Sequence, residues 1–276
     1  MIDTELYKKN EISVFFDIGT NGELVIGNKE FLLCGAGAAG PALEGAAVLQ
    51  GMGAVEGAIR KVALTGRFPM QDLACQVIVG GEAKGICGSG LISALSQLVR
   101  IGVIDESGYI RNAKELRRMG VPVRICQRVR EDGEAGERRI LLSGEVLQKP
   151  VVLTASDIRQ LQLAKGAIRA GIETLLQKAQ IPAKELRRIY LTGSFGNSLS
   201  AEDVTGIGLL PETEKEKITS VSSCAGMGAA MALLSGQVQR KMEEDAEKIC
   251  HVELAGEPDF QERFLKEMNF PGNEVH

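Results

Sequence analysis

The sequence predicts an α/β fold, and three observations predict it. The apolar run Ile12-Ser13-Val14-Phe15-Phe16 enters Asp17-Ile18-Gly19-Thr20-Asn21-Gly22-Glu23, and Leu24-Val25-Ile26 leaves it, which is the pattern of two strands joined by a tight glycine turn. Beyond it, stretches of strand character alternate with longer stretches whose apolar residues recur at helical spacing. Glycine turns then recur at 19–22, 88–90 and 193–196, each leaving backbone N–H groups uncovered by a Cβ. One such turn is equally an ordinary hairpin closure and a cradle for phosphate. Three in one chain point to a nucleotide cleft.

The elements follow in order. Residues 30–35 add a third strand and complete a meander. The loop Gly35-Ala36-Gly37-Ala38-Ala39-Gly40 leads to Pro41, which suits the first turn of a helix running through 42–49. Residues 52–62 allow helix or strand. A strand at 73–79 is broken by Gly80-Gly81. Gly85-Ile86-Cys87-Gly88-Ser89-Gly90 precedes a helix over 91–101, and a glycine-rich turn there presents unpaired N–H groups and a positive dipole end. Residues 111–120 form a short basic helix or loop. Strands at 121–129 and 138–146 bracket the acidic tip Glu131-Asp132-Gly133-Glu134-Ala135-Gly136, within a surface insertion at about 103–150. Thr154 or Ser156 caps a long helix with Asp157 in its first turn and an apolar stripe to about Gln180. A strand at 188–192 ends in Gly193-Ser194-Phe195-Gly196-Asn197 and feeds a helix from Ser200. A strand at 217–221, a small-residue helix to Leu234, a charged helix at 237–248, an edge strand at 252–254 and a closing helix at 258–268 complete one domain over 1–276.

Composition narrows the function. The chain of 276 residues has a net charge of -4, which argues against nonspecific nucleic-acid binding, since that needs a basic face. No apolar run approaches the ~18 residues of a membrane span. The polar stretch 1–10 lacks a signal peptide's apolar core. A cytoplasmic protein without nucleic-acid or membrane partners is expected. The six cysteines, Cys34, Cys75, Cys87, Cys126, Cys224 and Cys250, form no Cys-x-x-Cys pair, and His occurs twice. Zinc and ferredoxin patterns are therefore absent, and reduced core thiols are expected. Cys87 stands apart at a predicted helix N-terminus, where thiol pKa falls.

The stretch from Asp17 to Glu23 resembles the phosphate-binding hairpin of the acetate and sugar kinase/heat-shock chaperone/actin superfamily. Leu191-Thr192-Gly193-Ser194-Phe195-Gly196 resembles its adenosine motif. More narrowly, the chain is similar to the C-terminal domain of the reductive activators of corrinoid proteins. The stretches Ala39 to Gly45, Gly85 to Ile92, Asp157 to Gly171, Gly193 to Asn197 and Gly208 to Pro211 resemble motifs of that domain in the same order. The resemblance runs from about Ser13 to Phe270. It implies a ribonuclease H-like, actin-like lobe: a mixed sheet with a three-stranded phosphate hairpin meander, flanking helices and a hairpin insertion. It implies ATP and Mg2+ as cofactors, a corrinoid protein as partner, and ATP-driven return of a cobalt(II) corrinoid to cobalt(I). Full-length members also carry an iron–sulfur domain, a middle region and a second Asp-x-Gly-Thr hairpin, whereas one Asp-x-Gly-Thr occurs here. The expectation is one lobe, completed by regions of the same or another chain, with weak or no hydrolysis alone and no iron–sulfur cluster. A homodimer is compatible with the resemblance. The alternatives are a noncatalytic docking module for a corrinoid protein and a small-molecule kinase of the superfamily.

The resemblance and the residues themselves together distribute roles. Gly19, Thr20, Asn21 and Gly22, with Glu23 beside them, contact phosphates, and Asp17 orients hydrated magnesium. Gly88, Ser89 and Gly90 form a second glycine wall. Gly193, Ser194, Phe195 and Gly196 pack on adenosine, or form a strand-to-helix turn that needs glycine for close packing. Lys165 and Arg169 lie four apart on one helix face, offered to ribose or phosphate, or simply solvated. Glu44 positions the attacking water, or serves the helix dipole as a first-turn acid. The Cys87 turn is similar to the Cys-Ala-Ala-Gly-Thr-Gly turn of the dehydratase activators, whose dimers share a four-iron cluster. Cys126 is the candidate second ligand there, although its surroundings read as a plain strand.

Overall fold

The computed structural model describes residues 4–132, 136–144, 149–193, 199–221 and 224–272. Strand β1 (Ser13–Ile18) is buried along nearly its whole length, as expected of a central strand covered on both faces. It turns into β2 (Gly22–Gly27), and β3 (Leu32–Gly37) completes the antiparallel meander. A single 3-10 turn, Pro41–Glu44, follows. The chain then runs through β4 (Ala58–Thr65), β5 (Asp72–Val77), β6 (Gly85–Ile86), α1 (Gly88–Arg100), α2 (Ala113–Arg118), α3 (Val123–Cys126), β7 (Val129–Arg130), β8 (Arg139–Ser143) and β9 (Val151–Thr154). Helix α4 (Ala155–Lys178) leads to β10 (Arg188–Gly193), α5 (Ala201–Gly206), β11 (Ile218–Ser220), α6 (Cys224–Leu234), α7 (Gly236–Ala246), β12 (Ile249–His251) and α8 (Phe260–Glu267).

The main sheet has the order β11-β10-β1-β2-β3-β12. β10 runs parallel to β1, β11 parallel to β10, and β12 parallel to β3. The carboxyl ends of β1, β10 and β11 therefore share one edge, where ligands gather in open α/β sheets. Helix α4 covers one face. Its first turn is fixed by a reciprocal capping box between Thr154 and Asp157. Its stripe of Ile158, Leu161, Ile168, Ile172, Leu175 and Leu176 joins Val14, Phe16, Leu24 and Ile26 in the main core. Each such side chain contributes about 1.5–3 kcal/mol relative to exposure. The opposite face carries a smaller cluster of Leu6, Phe15, Leu32, Tyr190 and Cys224. Between β3 and α4 lie two three-stranded sheets, β5-β4-β6 and β7-β8-β9, with α1 packed on β4.

Several local expectations are corrected. The helix expected over 42–49 is only the Pro41–Glu44 turn, because Gly45 and Ala47 both adopt positive φ. Residues 52–62 resolve into the approach to β4. The stretch around Cys126, expected as strand, begins with the helical turn α3 after Pro122, and the insertion hairpin is confined to β7 and β8. The last edge strand is Ile249–His251, while Leu254–Gly256 is a 3-10 turn. Cys250 is exposed, not buried. Among the described residues, no helix is long and apolar enough to cross a membrane.

Candidate functional site

Ile18 pairs with Gly22, so Gly19, Thr20 and Asn21 form the turn that closes β1 onto β2. Thr20 and Asn21 are exposed at its tip, whereas Gly22 is buried, where a Cβ would press on Ile168 at 3.1 Å and on Phe16 at 3.2 Å. Asp17 lies one residue before the end of β1, opposite Glu23 on β2 and Thr192 on β10. Its carboxylate is half-buried and has no hydrogen bond or ion pair among the described residues, while burial lifts its pKa above the ordinary carboxylate value. Gly193 keeps that carboxylate free. Its φ is +105°, and a Cβ there would lie 2.2 Å from the Ile18 carbonyl oxygen and 2.9 Å from Asp17 Oδ1. Next to it, the backbone N–H of Cys224 donates to Thr192 Oγ1 at 3.1 Å and ties the start of α6 to the end of β10. Asp17 and Asp245 are the two acids in a mainly apolar groove of about 300 Å3 that Tyr7, Phe15, Cys224 and Met242 also line.

The hairpin also touches a residue 24 positions away. Thr20 Oγ1 donates to Glu44 Oε2 at 2.9 Å, although both residues are exposed. The turn that carries Glu44 is firmly seated: Leu43 is fully buried, and its carbonyl oxygen would lie 1.7 Å from a Cβ at Gly88. Further along, Leu49 N–H donates to Asp157 Oδ1 at the start of α4.

The other predicted site residues are placed elsewhere. Gly88, Ser89 and Gly90 are buried, and Ser89 Oγ donates to the Arg60 carbonyl. Their glycines admit Leu43 and Ile59 backbone, so this turn serves packing and does not open on the cleft. Lys165 and Arg169 share a face of α4, but that face meets α8. Lys165 is buried, and its Nζ donates to the carbonyls of Glu267 and Asn269. Burial pulls its pKa down to about 8. Arg169 pairs with Glu173 at 2.8 Å and with Glu267 at 3.8 Å. Cys87 caps α1 with its thiol buried and donating to the Ile59 carbonyl, and Cys126 donates to Val121. Ser194, Phe195 and Gly196 lie outside the described residues. Thr192, read only as part of the adenosine motif, and the start of α6, read only as the opening of a small-residue helix, were given no contact with each other in the sequence; a threonine beside the glycine that ends a parallel strand was the available signal.

Among the described residues, no group of three or more His, Cys, Asp or Glu suits a metal ion. A magnesium ion that keeps its waters needs only one or two carboxylates plus a ligand's phosphates. The unpartnered Asp17 carboxylate beside a glycine turn fits that requirement.

The family model described as the C-terminal domain of RACo, the ASKHA domain, matches residues 11–276. The chain belongs to that family. The mixed sheet described above is accordingly the actin-like α/β fold of a RACo-type ASKHA domain. Among curated relatives, the corrinoid activation enzyme RamQ of Eubacterium limosum is 31% identical over 275 residues, covering 97% of this chain and 44% of that protein. The [Co(II) methylated amine-specific corrinoid protein] reductase of Methanosarcina barkeri is 25% identical over 290 residues, covering 98% of this chain and 48% of that protein. A solved structure, a reductive activator for corrinoid, iron-sulfur protein, matches with a TM-score of 0.84 and 36% identity, covering 99% of this chain and 42% of that one. The RACo-type domain therefore spans less than half the length of the relatives it matches.

Proposed function

We propose that this chain is the nucleotide-binding lobe of an ATP-dependent reductive activator of corrinoid proteins. The observation that carries the reading is the half-buried Asp17 carboxylate, which has no hydrogen bond or ion pair among the described residues and is left room by Gly193 at the carboxyl edge of the sheet. In this reading the backbone N–H groups of the Gly19–Asn21 turn face the phosphates, each bond to a charged oxygen contributing on the order of 1.5–3 kcal/mol. Glu23 flanks them. Asp17 would hold magnesium through its waters, and the role left to Gly193, Ser194, Phe195 and Gly196 would be the adenosine. Bound magnesium would offset phosphate charge at the turn. ATP hydrolysis drives reduction of a protein-bound corrinoid from cobalt(II) to cobalt(I), the electron coming from an iron–sulfur domain outside these residues. A cytoplasmic setting belongs to the same proposal.

Isothermal titration of the chain with ATP and magnesium tests it. Measurable binding is expected, with Asp17→Ala weakening it by about tenfold or more, as losses at metal-holding residues usually do. Equal affinity of Asp17→Ala and wild type sinks the metal role. The single Asp-x-Gly-Thr stretch favours a second reading, a docking lobe for the corrinoid protein without hydrolysis. Steady-state ATPase assays with and without a corrinoid protein separate the two.

A further inference from the structure

We propose that the exposed surface of α2 and α3 docks an acidic, partly apolar face of the corrinoid protein; this rests on the functional reading above and deepens it by naming where the partner sits. The stretch from Arg111 to Arg130 holds seven basic residues against one acid, Glu115, in a chain whose 32 basic residues are outnumbered by 36 acids. Three of the seven are tied into the fold. Arg111 donates to the Gly102 carbonyl, Arg128 pairs with Asp72 at 2.5 Å, and Arg130 sits half-buried on β7. Lys114, Arg117, Arg118 and Arg124 are exposed, and none of them has an ion pair or side-chain hydrogen bond among the described residues. Glu115 does not answer them, because its carboxylate accepts from the Asn112 N–H as half of the capping box of α2.

The four cations stand on a firm platform. Lys114 lies three positions from Arg117 and four from Arg118, so the three share a face of α2, where like charges at that spacing cost the helix stability. Helix α2 packs on α3 and α3 on β5, while Leu116, Ile125 and Cys126 are buried in the core beneath them. In sequence between Arg118 and Arg124, Met119 and Val123 remain 41% and 56% exposed. Arginine and methionine are enriched at protein interfaces, and the guanidinium fork matches carboxylates in pairs. Charge complementarity therefore makes the occupant acidic. Nonspecific nucleic-acid binding needs a basic molecule, whereas this chain carries a net charge of -4, and Met119 and Val123 offer nothing to a phosphate backbone. The corrinoid protein is the occupant that the functional reading supplies. An activator must meet its client, act on it and release it, and a charged surface speeds such encounters.

The test is biolayer interferometry of the chain against two probes, a corrinoid iron–sulfur protein and a methylamine-specific corrinoid protein, each with cobalt(II), at low and high salt. Wild type is compared with the triple variant Arg117→Glu, Arg118→Glu, Arg124→Glu. A control triple, Lys29→Glu, Arg67→Glu, Lys184→Glu, makes the same charge change at exposed positions elsewhere. Circular dichroism melts check folding, and titration with ATP and magnesium checks the nucleotide site. Wild type should bind at least one probe. The α2–α3 triple should lose about tenfold to a hundredfold at low salt, mostly in the association rate, with the loss shrinking at high salt. The control triple should stay within about threefold, and both triples should bind ATP as wild type does. Should the α2–α3 triple melt early, Arg117→Gln and Arg124→Gln carry the test singly, each losing about threefold. An α2–α3 triple that loses nothing overturns the proposal, as does a control triple that loses as much. So does a DNA duplex that binds the chain and displaces the corrinoid protein. Wild type that binds ATP but neither probe overturns the docking and leaves the nucleotide reading; wild type that binds neither ATP nor a probe removes the functional reading and this proposal with it.

Discussion

At the scale of single residues, Asp17 and Gly193 form one device. A carboxylate half-buried with no hydrogen bond or ion pair among the described residues is a cost to the fold, and here burial raises its pKa against a smaller pull from the N-terminal amine. The sign follows. The raised value favours the protonated form in the folded state, so its contribution to stability is present below the unfolded carboxylate pKa and lost as pH rises through the folded one. Asp17→Asn should therefore melt higher than wild type at neutral pH, with the gap closing as pH falls toward 4. ATP with magnesium should narrow or reverse the gap, raising the wild-type melting point more than that of Asp17→Asn. Thermal scans at several pH values check both halves; a gap independent of pH would show that the charge is not the cause. Gly193→Ala should fail differently. It places a Cβ against the Ile18 carbonyl in a backbone conformation that suits glycine, at a cost of about 2 kcal/mol or more. Denaturant melts should show that loss, and ATP affinity should fall with it.

At the scale of elements, the α4–α8 contact carries the clearest pH signature. Lys165 is held between two backbone carbonyls, one at the last residue of α8 and one just beyond it, yet burial lowers its pKa to about 8 from 10.5. Because the folded value is depressed, stability should rise with pH between about 8 and 10.5 and be lost as pH falls back through 8. A shift of this size is on the order of 3 kcal/mol. Lys165→Met should flatten that rise in urea melts; an unchanged slope would mean the ammonium is not the titrating group. The same contact shows what the sequence could and could not say. The spacing of Lys165 and Arg169 put them on one face of a long helix, which is so, but spacing does not name the partner of a face. The 88–90 turn was misread for a similar reason: glycines before a helix look alike whether they admit a phosphate or the Leu43 carbonyl. The meander, α4 and β10 were legible because their periodicity and turns agree at every level. Residues 121–126 were not, since short apolar runs suit strand and helix equally. The Thr20–Glu44 bond could not be foreseen, as nothing local reports which of many acids a hydroxyl will meet.

At the scale of the molecule, the candidate site draws on distant parts of the chain: the hairpin at 17–22, the turn ending at Glu44, the end of β10 and the start of α6. Synthesis imposes an order on that assembly. The meander forms locally, but Ser13 must wait for Arg188 before β1 gains its second neighbour, and Leu32 must wait for Ile249. At roughly 5–20 residues per second, the first wait alone lasts on the order of ten seconds. For that time the apolar strand with Val14 and Phe16, both destined for complete burial, is an open sheet edge able to pair with other chains. The 19–21 turn is thus among the first features to exist, and Gly193, whose lack of a side chain leaves room beside Asp17, arrives only after about 170 further residues.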